Sequence, residues 1–274
     1  MFNKLVRMLI GCRIAKPHGT LYNRRYRRCF APERTGNMDE TFSRERLLFG
    51  DAAMQRLWHA HVAVFGVGGV GGYVCEALAR SGVGHLTLID GDTVSESNIN
   101  RQIIALHSTV GQKKTSVMRT RLLDISPEMQ VAVRDTYFSI ENADAFDLSA
   151  FSYVVDAIDD VQAKVELAVR CEQLGVPLIS SMGAGNKLHP ERFELADIYE
   201  TSVCPLARTM RAALRKRGVR RLQVVYSKET PRAAAVPPAD GNRVPGSTAF
   251  APPAAGLILA GAVVRALAEI EEEA

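Results

Sequence analysis

The sequence predicts an α/β protein with a mostly parallel sheet covered by helices on both faces. Three observations carry that expectation. Short apolar runs recur along the chain, the first four ending in glycine or aspartate. Helical patterns separate them. The composition, 274 residues of which 47% are hydrophobic and 23% charged, leaves ample material for a large core. Strands buried on both faces read as continuous apolar runs, and parallel neighbours need crossover helices between them.

The same composition excludes wholesale disorder, collagen and coiled coil. The net charge of +4 hides an asymmetry, because residues 1–37 carry nine Lys/Arg against the single acid Glu33, so the chain from Met38 onward is acidic. That segment lacks periodicity and reads as a basic, disordered extension, with Met38 a plausible alternative start; a nucleic-acid arm or an organelle presequence are the other readings. Five cysteines, odd in number and never in C-x-x-C, argue against a disulfide framework or a four-cysteine zinc site and fit a reducing, cytoplasmic compartment.

From Phe42 the pattern organises. Arg44–Leu57 reads as an amphipathic helix, His61–Gly66 as a buried strand, Tyr73–Ser81 as a helix and His85–Asp90 as a second strand. Gln112–Asp124 is expected to be helical and to stop near Pro127, with Gln130–Asp135 a third strand and Tyr153–Asp156 a fourth. A helix over Lys164–Leu174 and a strand over Pro177–Ser181 complete the alternation. From 197 to about 250 regularity fades into a basic helix, one strand (Leu222–Tyr226) and a Pro/Ala-rich loop. In the apolar run after Phe250 about 15 residues look helical, short of the roughly 20 that a membrane span needs, so a buried core helix and no membrane span are expected.

Gly66-Val-Gly68-Gly69-Val-Gly71 satisfies G-x-G-x-x-G between a strand and a helix, so a helix N-terminus can face a phosphate. Asp90 closes the second strand, where a carboxylate accepts from ribose hydroxyls. A ligand-free glycine turn is the bland alternative, and this motif alone would point to NAD. The polar run Asp90-Gly-Asp92-Thr-Val-Ser-Glu-Ser-Asn98-Ile-Asn100-Arg101-Gln102, Lys114 near a helix start, and Asp156-Ala-Ile-Asp159-Asp160 at a strand end argue otherwise. Loops at strand carboxyl ends face one crevice in such a sheet. There a guanidinium, an ammonium and a carboxylate-held Mg²⁺ would neutralise charge on a departing pyrophosphate.

These blocks resemble the signature of the ubiquitin-activating-like adenylating enzymes. The resemblance implies a Rossmann-like, ubiquitin-activating-enzyme-like fold with a C-terminal extension of the sheet, ATP and Mg²⁺ as cofactors, and a homodimer. It implies an ATP-binding adenylation domain over 38–274, with 197–250 as an irregular segment facing substrate. Residue by residue, Asp90 would hold the ribose, Asn98 and Arg101 the phosphates, Lys114 the α-phosphate region, and Asp159 the Mg²⁺. Gly66, Gly68, Gly69, Gly71, Asp92 and Gln102 complete the nucleotide set. Arg44, in Phe-Ser-Arg-Glu-Arg, matches an arginine that reaches the partner subunit's ATP; a solvated helix residue is the alternative. Asp156 also has an ordinary reading, as a strand-end cap.

Within that superfamily, four blocks resemble the tRNA threonylcarbamoyladenosine dehydratases: Ser180–Lys187, Ala196–Leu206, Val225–Glu229 and Pro245–Pro252. The likeness spans about residues 40–270. It implies ATP-dependent activation of a threonyl carboxylate beside the tRNA anticodon, followed by ring closure from the substrate's own carbamoyl group. Proximity then supplies much of the second step. Cys204 sits where thioester-forming relatives keep a catalytic cysteine, with a plain buried thiol as the alternative. Arg208, Arg211, Arg215, Lys216 and Arg217 form a basic helix that would contact the tRNA backbone, or else a solvated face. An adenylyltransferase for a ubiquitin-like or sulfur-carrier protein, with a sulfur-relay partner, is the rival enzyme; a non-catalytic nucleotide-sensing scaffold and an NAD dehydrogenase are the others.

Overall fold

The computed structural model describes residues 40–233, 235–236 and 245–270. The basic segment 1–37 and part of the Pro/Ala-rich loop lie outside them. Seven strands form one sheet: β1 (His61–Phe65), β2 (His85–Ile89), β3 (Gln130–Arg134), β4 (Tyr153–Asp156), β5 (Leu178–Ser181), β6 (Phe193–Asp197) and β7 (Gln223–Ser227). Their order across the sheet is β3-β2-β1-β4-β5-β7-β6. Every neighbouring pair is parallel except β6 with β7, where Phe193 opposes Ser227 and Asp197 opposes Gln223.

Alternate residues of β1 explain the two layers. Val62 and Val64 point to the face covered by α1 (Ser43–His59), α2 (Gly71–Arg80), α3 (Lys114–Ile125) and α6 (Ala251–Ala268). Ala63 and Phe65 point to the opposite face, beneath α4 (Val161–Leu174) and the segment 138–151. α5 (Pro205–Lys216) packs beside α4 over β5 and β7. The expected strand–helix alternation and coverage of both faces are therefore what the chain adopts.

Three elements depart from the sequence reading. β6 was not anticipated: Phe-Glu-Leu-Ala-Asp is a half-exposed edge strand whose pairing with β7 compensates for a weak local pattern. α1 is not one straight helix, because Gly50 breaks it with φ 76°. The leading half exposes Leu47 and Leu48, while the trailing half buries Ala53, Met54 and Leu57. α6 runs 18 residues rather than about 15, starting on Pro252-Pro253 in its first turn, where proline costs no hydrogen bond. It is long and apolar enough to cross a membrane, yet 67% of it is buried inside the protein, on α2, α1 and the sheet.

Candidate functional site

β1, β2 and β4 end side by side, and their following loops meet at one end of the sheet. The glycine loop turns between β1 and α2. Gly66 has φ 89°, and a side chain there would lie 2.6 Å from the Ala157 carbonyl oxygen; one at Gly71 would lie 1.8 Å from the oxygen of Gly66. The first and last glycines are thus demanded by the chain's own packing. Over the middle two the polar side chains approach: Arg101 lies over Gly69 and Gln102 beside Gly68.

Asp90 fastens this loop to the next. Its carboxylate accepts from the backbone N–H of Val67 at 2.7 Å and of Asp92 at 2.8 Å. Asp92 pairs with the buried Lys114 at 2.6 Å and accepts from the Tyr137 hydroxyl. Burial opposes ionisation of Asp92, but the Lys114 and Tyr137 hydrogen bonds outweigh it and hold its carboxyl below the usual range. Asn98 closes a short 3₁₀ turn by accepting from Ser95 N–H at 3.2 Å. Arg101 donates to the Ser97 carbonyl at 2.8 Å and to Asn100 Oδ1 at 2.9 Å, which holds the guanidinium at the loop's mouth. Gln102 is buried, and its Oε1 has no hydrogen-bond partner.

Asp159 stands exposed beyond β4. Its loop is fixed from below by a buried set around Asp156, the strand-end cap of the sequence reading, with a lysine partner that the reading missed. Asp156 Oδ2 accepts from Ser180 Oγ at 2.5 Å and pairs with Lys164 at 2.9 Å. The other Asp156 oxygen accepts from Ile158 N–H at 3.1 Å, and Lys164 donates to the Ile158 carbonyl at 3.1 Å. Asp156 is therefore a strand-end cap that needs its lysine. Position supplied the only sequence signal: Lys164 falls in the first turns of a helix that returns over the strand. Among the described residues no group of three or more His, Cys, Asp or Glu gathers as a metal cage.

Arg44 is not brought to this crevice by its own chain. Its neighbours Phe42 and Glu45 lie against Gly82 and Ser81, after α2, at the opposite end of the sheet. Cys204 caps α5 and is 2% exposed, packed with Met182, Ala207 and Met210. The preceding Val203 has φ 59°, a costly backbone for a β-branched residue. Near Cys204 lies Lys187, also missed: its buried ammonium donates to the Glu229 carbonyl, while the Glu229 carboxylate accepts from Leu188 and His189 N–H. Burial pushes the Lys187 pKa down, against the opposing charges of Cys204 and Glu229.

The basic residues of α5 and its C-terminal end fall into two groups. Arg211 donates to the Thr201 carbonyl at 2.9 Å, Arg215 lies 5.1 Å over the Tyr199 ring, and Arg217 pairs with Glu166 at 3.0 Å. Arg208 and Lys216 are exposed.

Comparison with known proteins places the chain in a family. The ThiF family matches residues 42–273. A tRNA threonylcarbamoyladenosine dehydratase of Bacillus subtilis is 42% identical over 242 residues, which is 81% of this chain and 92% of that one. Crystal structures of the Escherichia coli enzyme of that name, in complex with AMP and with ATP, superpose with a TM-score of 0.76 at 32% identity, covering 83% of this chain and 93% of theirs. A molybdopterin-synthase adenylyltransferase of Salmonella typhimurium is 36% identical over 132 residues, 48% of this chain and 53% of that one. The chain belongs to the ThiF family, in its tRNA threonylcarbamoyladenosine dehydratase branch.

Proposed function

We propose that this protein binds ATP in the crevice and uses it to dehydrate threonylcarbamoyladenosine in tRNA. The observation that carries the reading is the meeting of a glycine loop, Asp90, the Asp92–Lys114 pair, Arg101 and Asp159 at neighbouring strand ends. A carboxylate is a poor electrophile, and adenylation gives it a good leaving group. In this reading Asp90 holds the ribose, Asn98 and Arg101 take the phosphates, and Lys114 faces the α-phosphate. Gln102, with its free carboxamide oxygen, completes the wall. Asp159 supplies the hard oxygen that Mg²⁺ prefers beside a triphosphate; the cation would offset charge on the departing pyrophosphate. The substrate's carbamoyl group then attacks the acyl-adenylate, AMP leaves, and water is lost overall.

Arg44 fits the reading only across a two-fold axis. The exposed Leu47 and Leu48 beside it give a homodimer an apolar contact. We assign tRNA contact to Arg208 and Lys216 first, with Arg211, Arg215 and Arg217 adding field while they hold the helix. The cytoplasm suits a tRNA substrate and free thiols. A carrier-protein adenylyltransferase with a sulfur-relay partner would need an accessible thiol, which the 2% exposure of Cys204 does not favour. The test is incubation with ATP, Mg²⁺ and tRNA bearing threonylcarbamoyladenosine, followed by mass spectrometry of the nucleosides. The expected product lacks one water; an unchanged nucleoside alongside ATP consumption with a carrier protein would favour the rival.

A further inference from the structure

Beyond β3, at the rim of the crevice, one aromatic ring is exposed and yet held on several sides. Tyr137 is 63% exposed. Its ring lies flat against Gly91, so closely that a Cβ there would stand 2.7 Å from the ring carbons. Its hydroxyl donates to Asp92. Its carbonyl accepts from the Asn142 amide at 2.7 Å. The next residue, Phe138, is buried edge-on to Phe65 and Phe146, with ring centroids 5.2 and 5.3 Å away. The hydrogen bond to Asp92, then burial, then the nearby charges of Asp92, Asp90 and Asp159, push its pKa up to about 12. The hydroxyl therefore faces the same carboxylates that line the nucleotide crevice.

An exposed tyrosine normally keeps its rotamer freedom, and fixing one costs entropy without burying apolar area. A ring so fixed beside the ribose carboxylate is a ready face for a flat base. We propose that Tyr137 is the platform on which the adenine of ATP stacks, with its hydroxyl bond to Asp92 linking base recognition to Lys114. Gly91 is then glycine because the ring must lie against it. The inference rests on ATP occupying this crevice and adds the group that reads its base.

Calorimetric titration of the full-length protein with AMP and with inorganic tripolyphosphate tests it. Stacking lost on replacement by alanine weakens base binding by about tenfold or more. Tyr137→Ala should lose that factor for AMP and keep the wild-type affinity for tripolyphosphate, which carries no base. Tyr137→Phe, which keeps the ring, should bind AMP nearly as wild type does. Unchanged AMP affinity in Tyr137→Ala overturns the proposal, as does an equal loss for both ligands, which would mean a collapsed loop. Weakened tRNA binding with AMP untouched would overturn it too, by giving the ring to the other substrate. Asp90→Asn separates the underlying reading: if AMP affinity survives that change, the nucleotide lies elsewhere, whatever Tyr137 does.

Discussion

Individual residues differ in what their loss should do. Asp159 and Arg101 stand in the crevice without supporting the core, so alanine at either should cut ATP–pyrophosphate exchange by about 10²–10³-fold while leaving thermal unfolding unchanged. Near-normal exchange in both variants would move the adenylation chemistry elsewhere. Lys164 is the opposite case. Its removal strands the Asp156 carboxylate in a site with no exposure, and breaking a buried pair in this way costs about 3–5 kcal/mol. Lys164→Met should therefore shift the urea midpoint strongly, and adding Asp156→Asn should recover part of the loss. Val203 is strained by its positive φ. Val203→Gly should relieve about 1–2 kcal/mol of that strain, less the entropy glycine adds to the unfolded chain, and raise the melting temperature.

Among the elements, α5 offers the sharpest test. Arg208→Glu with Lys216→Glu should weaken tRNA binding and leave ATP binding alone, each lost phosphate contact flattening the log–log salt slope by about 0.7–0.9. Arg211→Glu should instead lower stability, because that guanidinium caps the Thr201 carbonyl. An unchanged salt slope in the double variant would mean a merely solvated face. α1 carries a second test. If the proposed homodimer holds, mixing Arg44→Ala with Asp159→Ala subunits puts both lesions in one site and leaves the other whole, so activity should partly recover over either pure variant; no recovery in confirmed heterodimers overturns a trans arginine. These elements also show where sequence was readable. β1, β2 and β4 are short, largely apolar runs of the kind that a strand covered on both faces shows, and the loops after them carried their polar residues in unbroken motifs. β6 is half-exposed and acquires its strand character from β7, and Lys187 and Tyr137 find their partners 42 and 45 residues away along the chain. No local pattern encodes such pairings.

For the whole molecule, proton uptake should be felt at the end of the sheet opposite the crevice. There His61 and His85 begin β1 and β2, their rings 5.9 Å apart, with Thr87, Phe151, Gln130 and His59 around them. Burial holds both imidazoles below their ordinary pKa, and neighbouring histidine charge (His85 for His61, His59 for His85) adds to the effect. The unfolded chain therefore binds these protons first as the pH falls through about 6.5, and the stability present above that value is lost below it. The urea midpoint should be lower at about pH 5.5 than at about pH 7.5, and His85→Gln should shrink the difference. An unchanged difference in that variant would place the acid sensitivity in other groups.

The packing of α6 bears on how the protein is made. Gly256 lets this helix settle against the Val70 carbonyl, where a Cβ would stand 2.4 Å away, and Pro252 reaches Gly69. The glycine loop, encoded in the first third of the chain, is thus buttressed by residues translated after position 250. During synthesis the ribosome releases β1 and α2 long before their covering helix exists. Val74 and Leu78 of α2, like Val62 and Val64 of β1, belong to the layer that α6 helps to close. A nascent chain halted before α6 therefore displays a sticky apolar face and no finished nucleotide site, which is the state that chaperones hold. Arrested chains of increasing length should gain ATP-dependent protection from protease only once α6 has cleared the exit tunnel.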